Sequence, residues 1–130
     1  MPLLTAKILT CSFFGTAASG AEQILVSKRI GYPFKTSVIV CSFPLGTNRL
    51  LNLQFFVSPD STDPVAGRTS GSNILEALGN VDYITGDDEQ KIFSHEIVYD
   101  NTPNWLKIRA VNNDFFDHTV DVQWTIIPIE

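Results

Sequence analysis

Within the segment from His118 to Ile127, residues 119–126 alternate strictly between polar and apolar side chains. The apolar side chains fall on one face of an extended chain: Val120, Val122, Trp124 and Ile126. A period of two residues is typical of a strand that buries one face and exposes the other. The pattern therefore predicts a strand that ends at Pro128, packed on one side against a core.

The same kind of pattern recurs along the chain and predicts about eight short strands. We expect them at Leu3–Phe13, Glu22–Ile30, Lys35–Phe43, Arg49–Val57, Val81–Thr85, Lys91–Tyr99, Trp105–Val111 and His118–Ile127. In the second of these, Ile24, Val26 and Ile30 are expected to share a face. Turn-forming residues separate the segments, including a small-residue turn from Gly15 to Gly20.

One short helix is expected between the fourth and fifth strands. Asn73 with Glu76 three residues later predicts a capping box, and Gly79 predicts the C-terminal stop. Eight strands with one helix favour an all-β fold, an antiparallel β-sandwich of jelly-roll type, as a single domain over residues 1–130. An immunoglobulin-like sandwich is the second choice, because the Cys-Trp-Cys spacing of antibody domains is missing.

Charge and cysteine content exclude several classes of function. Nine Lys and Arg against 14 Asp and Glu give a net charge of -5, and Lys28-Arg29 is the only adjacent basic pair. Nucleic-acid binding needs clustered cations, so we expect no nucleic-acid partner. No apolar run approaches the ~18 residues that span a bilayer, so no membrane association is expected. Cys11 and Cys41 lie in apolar runs and are predicted to be free thiols, with a bridge as the alternative.

The two histidines offer little for acid–base catalysis. His95 alternates with Phe93 and Ile97 on an apolar face, which is typical of a hydrogen-bonded core or rim residue. His118 follows Asp117 at the start of the last strand, where a contact within the turn is the simplest interpretation. No serine lies in a nucleophile motif, so we expect no catalytic residues and no cofactor.

Calcium is the best metal hypothesis, because carboxylate and amide side chains, which offer oxygen ligands, cluster in three loops. They are Asp60 and Asp63, then Asp87, Asp88 and Glu89, then Asn112, Asn113, Asp114 and Asp117. None has the spacing of a calcium-binding loop. Turn formation explains all of these residues equally well, so the sequence predicts no metal site.

Two regions stand out as possible contact surfaces. Residues 58–71 form a long segment without periodicity, and such loops are usually functional. Phe115 and Phe116 are adjacent after a polar turn, so both cannot face the same side of a strand. Trp105 shares a strand face with Lys107 and Arg109, where it either contacts a partner or is covered by a second layer or a loop. The predicted partner-binding residues are Asp60, Asp63, Arg68, Trp105, Phe115 and Phe116.

Three segments resemble small bacteriophage virion accessory proteins, the β-sandwich proteins that decorate capsids or complete tails and fibres. They are Leu53–Asp60, Tyr83–Asp88 and Trp105–Asn113. The resemblance covers roughly residues 50 to 127. It implies no catalysis, a homo-oligomer in which trimers are frequent, and a function made of surface contacts. It transfers no site residues to this chain.

The hypothesis that follows is a non-enzymatic virion protein, assembled in the host cytoplasm, whose partners are copies of itself and other virion proteins. A carbohydrate-binding module or lectin is the alternative. In that case Trp105 would stack on a sugar ring, with Lys107 and Arg109 beside it.

Overall fold

The computed structural model describes residues 8–59 and 71–129 of the chain, which form nine strands and one helical turn. The strands are β1 (Leu9–Ala17), β2 (Glu22–Val26), β3 (Phe34–Phe43), β4 (Leu51–Ser58), β5 (Ser72–Asn73), β6 (Glu89–Ser94), β7 (Val98–Tyr99), β8 (Trp105–Asn112) and β9 (His118–Pro128), and the helix is α1 (Ile74–Ala77). The predicted contact residues Asp60, Asp63 and Arg68 lie outside the described residues, as do residues 3–7 of the predicted first strand.

Two antiparallel sheets pack against each other. The first has the order β1-β9-β3-β6, with β7 also paired to β3, and the second has the order β2-β8-β4-β5. β6 and β7 pair with β3 one after the other, so they act as one interrupted strand. Counted in this way, the first strand pairs with the eighth, the second with the seventh, the third with the sixth and the fourth with the fifth. This rolled-up hairpin is the jelly roll, so the predicted fold is confirmed.

The core lies between the inward faces of the two sheets. The apolar residues on the inward face of β9 are all fully buried: Val120, Val122, Trp124 and Ile126. Trp124 of β9 meets Phe55 of β4 edge to face, with ring centroids 5.7 Å apart, which joins one sheet to the other. β4 and β8 also bury every second residue on their inward faces, and Ser58 and Lys107 are buried on their other faces. Aromatic side chains therefore fill the centre of the sandwich.

The first two predicted strands have different bounds in the structure. β1 continues through the predicted turn to Ala17. It can do so because Gly15 passes close to Leu25, whose Cδ2 would lie only 3.2 Å from a Cβ at that position. β2 ends early, at Val26, because the Ser27 hydroxyl oxygen accepts the Leu106 N–H at 2.9 Å. The expectation that Ile24, Val26 and Ile30 share a face was wrong, since only Ile30 is buried in the core.

Two later strands also differ from the prediction. Val81–Thr85 is not a strand, and only Ile84 forms a single bridge, to Leu53. Lys91–Tyr99 is interrupted between Ser94 and Val98, and the N–H of His95 donates there to the Ser37 carbonyl at 2.8 Å. Ser37 lies at an irregularity in the pairing of β3 with β9. This local distortion in β3 coincides with the interruption of its partner strand.

α1 begins and ends where the sequence predicted. The Asn73 side chain accepts the N–H groups of Leu75 and Glu76 at 2.9 and 3.3 Å. Gly79 adopts a φ of 80°, and the N–H of Asn80 donates to the Leu75 carbonyl, which is a Schellman stop. The short helix packs on β4 through its buried residues Ile74 and Leu75.

Four connections meet at one end of the sandwich, which we call the loop end. They are residues 18–21, 44–50, 78–88 and 113–117. Backbone hydrogen bonds join them: Gly20 to Asp114, Asn113 to Leu50, and Arg49 to Gly86. These connections form one continuous surface, which carries the candidate functional site.

Candidate functional site

Phe115 and Phe116 project from the loop end into solvent. Their side chains are 93% and 71% exposed, and they lie side by side in the connection from β8 to β9. Residues 112–118 form what we call the phenylalanine turn. Exposed apolar side chains are common when isolated, but two adjacent phenylalanines at one projecting turn form a patch that needs an explanation.

Asn112 holds the phenylalanine turn from inside the protein. This residue is 1% exposed, and both its Nδ2 and its Oδ1 make hydrogen bonds. Its Nδ2 donates to the carbonyls of Ala17 at 2.9 Å and Phe116 at 2.8 Å, and its Oδ1 accepts the N–H of Asp114 at 2.9 Å. One buried amide thus fixes both ends of the turn and ties it to the end of β1.

A second brace is the contact between Asp114 and His118. Oδ2 of Asp114 lies 2.8 Å from Nε2 of His118, and Oδ1 accepts the N–H of Phe115 at 2.7 Å. The His118 hydrogen bond, followed by that from Phe115, holds the pKa of the Asp114 carboxyl below its usual value. The predicted contact of His118 within the turn is therefore confirmed, and its partner is Asp114.

The neighbouring loops support the turn from the side. Oδ1 of Asp117 accepts the Ser19 N–H at 2.9 Å. In the next loop Oδ1 of Asp87 accepts the N–H groups of Gly46 and Asn48 at 3.0 and 3.1 Å. These bonds hold the connection of residues 44–50, which presents Leu45, 78% exposed, at the same end of the molecule. The loop end is thus a rigid frame with apolar side chains on its outside.

The acidic residues of the loop end bind backbone groups. Asp87, Asp114 and Asp117 each accept main-chain N–H groups, and Glu89 accepts the Asp87 N–H at 2.9 Å. In residues 8–59 and 71–129, no cluster of three or more His, Cys, Asp or Glu side chains could hold a metal ion. Turn formation accounts for these residues, as the sequence also allowed.

The surroundings of Trp105 differ from an open sugar platform. Trp105 is half-buried, and Lys107, on the same face of β8, is fully buried. Arg109 donates to Glu22 Oε2 at 3.0 Å from Nε and to Gln54 Oε1 at 2.9 Å from Nη1. The guanidinium is therefore held against the outer face of the second sheet.

His95 and the two cysteines are shielded from solvent to different extents. The His95 ring stacks on Phe93 at 5.1 Å, and neither of its ring nitrogens has a hydrogen-bond partner in the described part of the chain. The expectation that His95 is hydrogen-bonded through its side chain was thus wrong, and burial lowers its pKa. Cys11 and Cys41 are free, as predicted, and burial raises the pKa of Cys41 to about 12.

Two cavities open at the sides of the sandwich. One, of about 470 Å³, lies between β1 and residues 26–32, and Tyr32 contributes to its wall. The other, of about 350 Å³, lies between β6 and residues 81–85. Neither includes the phenylalanine turn. The phenylalanine turn is instead a projecting surface, with both of its rings largely exposed.

Sequence reasoning found Phe115 and Phe116 but missed the residues that support them. Asn112 was assigned to a predicted polar turn, although it continues the inward-facing series of Leu106, Ile108 and Ala110, which was a usable signal of its burial. Its three partners lie in β1 and in the turn itself, so only the folded chain reveals its role. Leu45 was also missed, although a leucine between Pro44 and Gly46 in a turn was a usable signal.

Comparisons with known proteins do not identify the chain. No protein-family model matches the sequence, and no curated protein matches it at a significant level. None of the helices in the described residues is both long enough and apolar enough to cross a membrane. The resemblance to phage accessory proteins stays a prediction.

Proposed function

We propose that the chain is a non-enzymatic structural protein of a bacteriophage particle, a capsid decoration or accessory protein that works through protein–protein contacts in an oligomer. Jelly rolls occur in viral capsid proteins, and the fold suits a compact building block whose loops make the contacts. The aromatic core leaves the working surfaces on the outside of the sandwich.

The exposure of Phe115 and Phe116 on a rigid turn carries this proposal. Binding energy at protein interfaces is concentrated in a few aromatic anchors that become buried on association. An anchor that is already held in place loses little conformational entropy when it binds. The bonds made by Asn112, Asp114 and Asp117 hold the turn in this way. A turn built only to connect β8 with β9 would not need two exposed phenylalanines.

Light scattering on the purified full chain tests the assembly role. Wild type should form a discrete oligomer. The double variant Phe115→Ser, Phe116→Ser should have a lower molar mass, that of a smaller oligomer or a monomer, because it lacks the two apolar anchors. Ile92→Ser is the control, since Ile92 is 65% exposed, close to Phe116, but lies on β6, away from the loop end. A monomeric wild type at every concentration would contradict the proposal, as would equal effects of the two variants.

Immunogold labelling tests the particle assignment separately. Antibodies against the chain should label the surface of particles purified from the organism that encodes it. Intact, well-stained particles without label would contradict the virion assignment. A glycan array that compares wild type with Trp105→Ala tests the alternative of a carbohydrate-binding protein. Binding that depends on Trp105 would favour a lectin over an assembly protein.

A further inference from the structure

β1 is a free edge of the first sheet. In the described residues it pairs with β9 alone, and its other side has no strand partner. The pairing runs without a break from Leu9 opposite Ile126 to Ala17 opposite His118. One side of β1 therefore presents an unbroken row of backbone N–H and C=O groups for a further strand.

This edge lacks the features that normally prevent edge-to-edge association. Natural proteins protect exposed edges with charged residues, prolines, bulges or short strands. No charged residue occurs between Lys7 and Glu22, and β1 contains neither proline nor bulge. The edge formed by β6 carries Glu89 and Lys91 and is interrupted after Ser94. The edge formed by β2 has five residues and begins with Glu22.

Apolar side chains are exposed along the same edge. Phe14 is 73% exposed on the outer face of β1, and Ile8, directly before the strand, is 66% exposed. On the inner side, the 470 Å³ cavity runs beside residues 9–13 and separates this part of β1 from the second sheet. Unpaired backbone, exposed apolar side chains and an adjoining cavity thus coincide on one edge of the molecule.

We propose that β1 pairs antiparallel with β1 of a second copy across a two-fold axis, so that the two first sheets become one continuous sheet. This inference rests on the proposed function, because it supplies a contact within the oligomer. In an antiparallel two-fold pair each residue faces a residue of the same strand. Because β1 is uncharged, no like charges oppose each other within the paired strands, and the nearby cations Lys28 and Arg29 lie on the wall of the adjoining cavity.

The length of β1 is sufficient for a specific contact. Nine residues span roughly 30 Å, and an antiparallel pair of that length makes on the order of eight backbone hydrogen bonds. The outward-facing residues, Thr10, Ser12, Phe14 and Thr16, align with those of the second copy on one face. The inward-facing residues of the second copy lie at the mouth of the cavity and cover it.

Cysteine cross-linking tests this pairing. In a Cys11→Ser background, single cysteines are placed at the four outward positions 10, 12, 14 and 16 and oxidised under mild conditions. A two-fold axis brings one position next to its own copy, so disulfide-linked dimer should peak at one or two neighbouring positions and fall away on both sides. Gln90→Cys and Ser94→Cys on the β6 edge are matched controls, exposed on the same outer face. Dimer yields no higher than those controls, or equal at all four positions, would overturn the pairing.

A charge variant gives a second measurement in the absence of cross-links. Ser12→Lys places two like charges at the paired edges and should abolish the two-fold contact. The molar mass measured by light scattering should then fall to half that of the wild-type assembly, because each β1-linked dimer separates into single copies. Ser94→Lys should leave the mass unchanged. Circular dichroism of both variants checks that the sandwich is intact. A Ser12→Lys protein that is folded and has an unchanged mass would overturn the inference.

Combining the two surfaces separates this inference from the proposed function. The cross-link at β1 should persist when Phe115 and Phe116 are both replaced by serine. If β1 does not cross-link while association still depends on the phenylalanines, only the strand pairing fails. If β1 cross-links but the phenylalanines have no effect on assembly, the pairing stands and the role of the loop end fails.

Discussion

Replacing Asn112 by alanine should destabilise the protein more than any other polar substitution at the loop end. The side chain makes three hydrogen bonds, to Ala17, Phe116 and Asp114, at 2.8–2.9 Å. A typical protein hydrogen bond contributes about 1 kcal/mol net, and a buried group left without a partner costs on the order of 1–3 kcal/mol. The expected loss in the free energy of unfolding is therefore about 3 kcal/mol, and roughly 10 °C in Tm for a domain of this size.

Urea denaturation of Asn112→Ala against wild type measures this loss. Asn113→Ala is the control, because the neighbouring side chain is exposed, and its expected change is within about 0.5 kcal/mol. Hydrogen exchange should also show faster exchange of the Gly20 and Asp114 amides, since the first donates to the turn and the second to Asn112 itself. If the two alanine variants are equally stable, the idea that Asn112 holds the phenylalanine turn is refuted.

Asn112→Asp sharpens the same test through pH. The carboxylate would face the carbonyl oxygens of Ala17 and Phe116, so the folded state should raise the pKa of the new carboxyl above that in the unfolded chain. The variant should then be most stable at low pH relative to wild type and lose stability as the pH rises through that higher value. A difference from wild type that does not change with pH would show that the amide does not face those carbonyls.

Two further predictions concern the backbone conformation of Arg49 and the protonation of His95. Arg49 has a φ of 60° in the turn from Thr47 to Leu50, a conformation that glycine adopts without strain. Arg49→Gly should therefore raise the free energy of unfolding, measured by urea denaturation, by about 0.5–1 kcal/mol. Arg29→Gly is the control and should give no gain, because Arg29 does not have a positive φ. Burial lowers the pKa of His95 from 6.5, so the unfolded chain takes up a proton that the folded protein does not, and stability should fall as the pH drops below about 6.5. His95→Phe should reduce this slope in pH-dependent denaturation, and an unchanged slope would contradict the assignment to His95.

The alternation of side chains was enough to predict most of the secondary structure. β4, β8 and β9 lie within a residue or two of their predicted bounds, because each buries the apolar residues of one complete face. The caps of α1 were also readable, since an Asn side chain and a Gly act on residues close to them in sequence. The errors fall on β1, β2, the interrupted strand β6–β7 and residues 81–85, which form only a single bridge. Their ends depend on partners far away in the chain, such as Leu106 for Ser27 and Ser37 for His95.

The candidate site was predictable only in part. Two adjacent phenylalanines after a polar turn indicated that at least one is exposed, because neighbours in a strand point to opposite faces. The sequence could not show that Asn112 braces them, since two of its bonds go to the end of β1 and to a residue four positions later. Trp105 shows another limit, because its strand face could be predicted while its exposure or coverage was left open, and the structure shows it half-buried.

The period-two pattern by itself determined that the chain forms short strands and which side chains of the longest ones are buried. It could do so because alternate residues of a strand point to the same face, so the buried face can be recognised from residues close together in the sequence. Tertiary structure alone decided the pairing order, and with it which strand is left without a neighbour and which loops meet at one end. These outcomes depend on contacts between residues about a hundred positions apart, such as Leu9 with Ile126, which no local pattern encodes. The free edge of β1 and the support of the phenylalanine turn both follow from that pairing order.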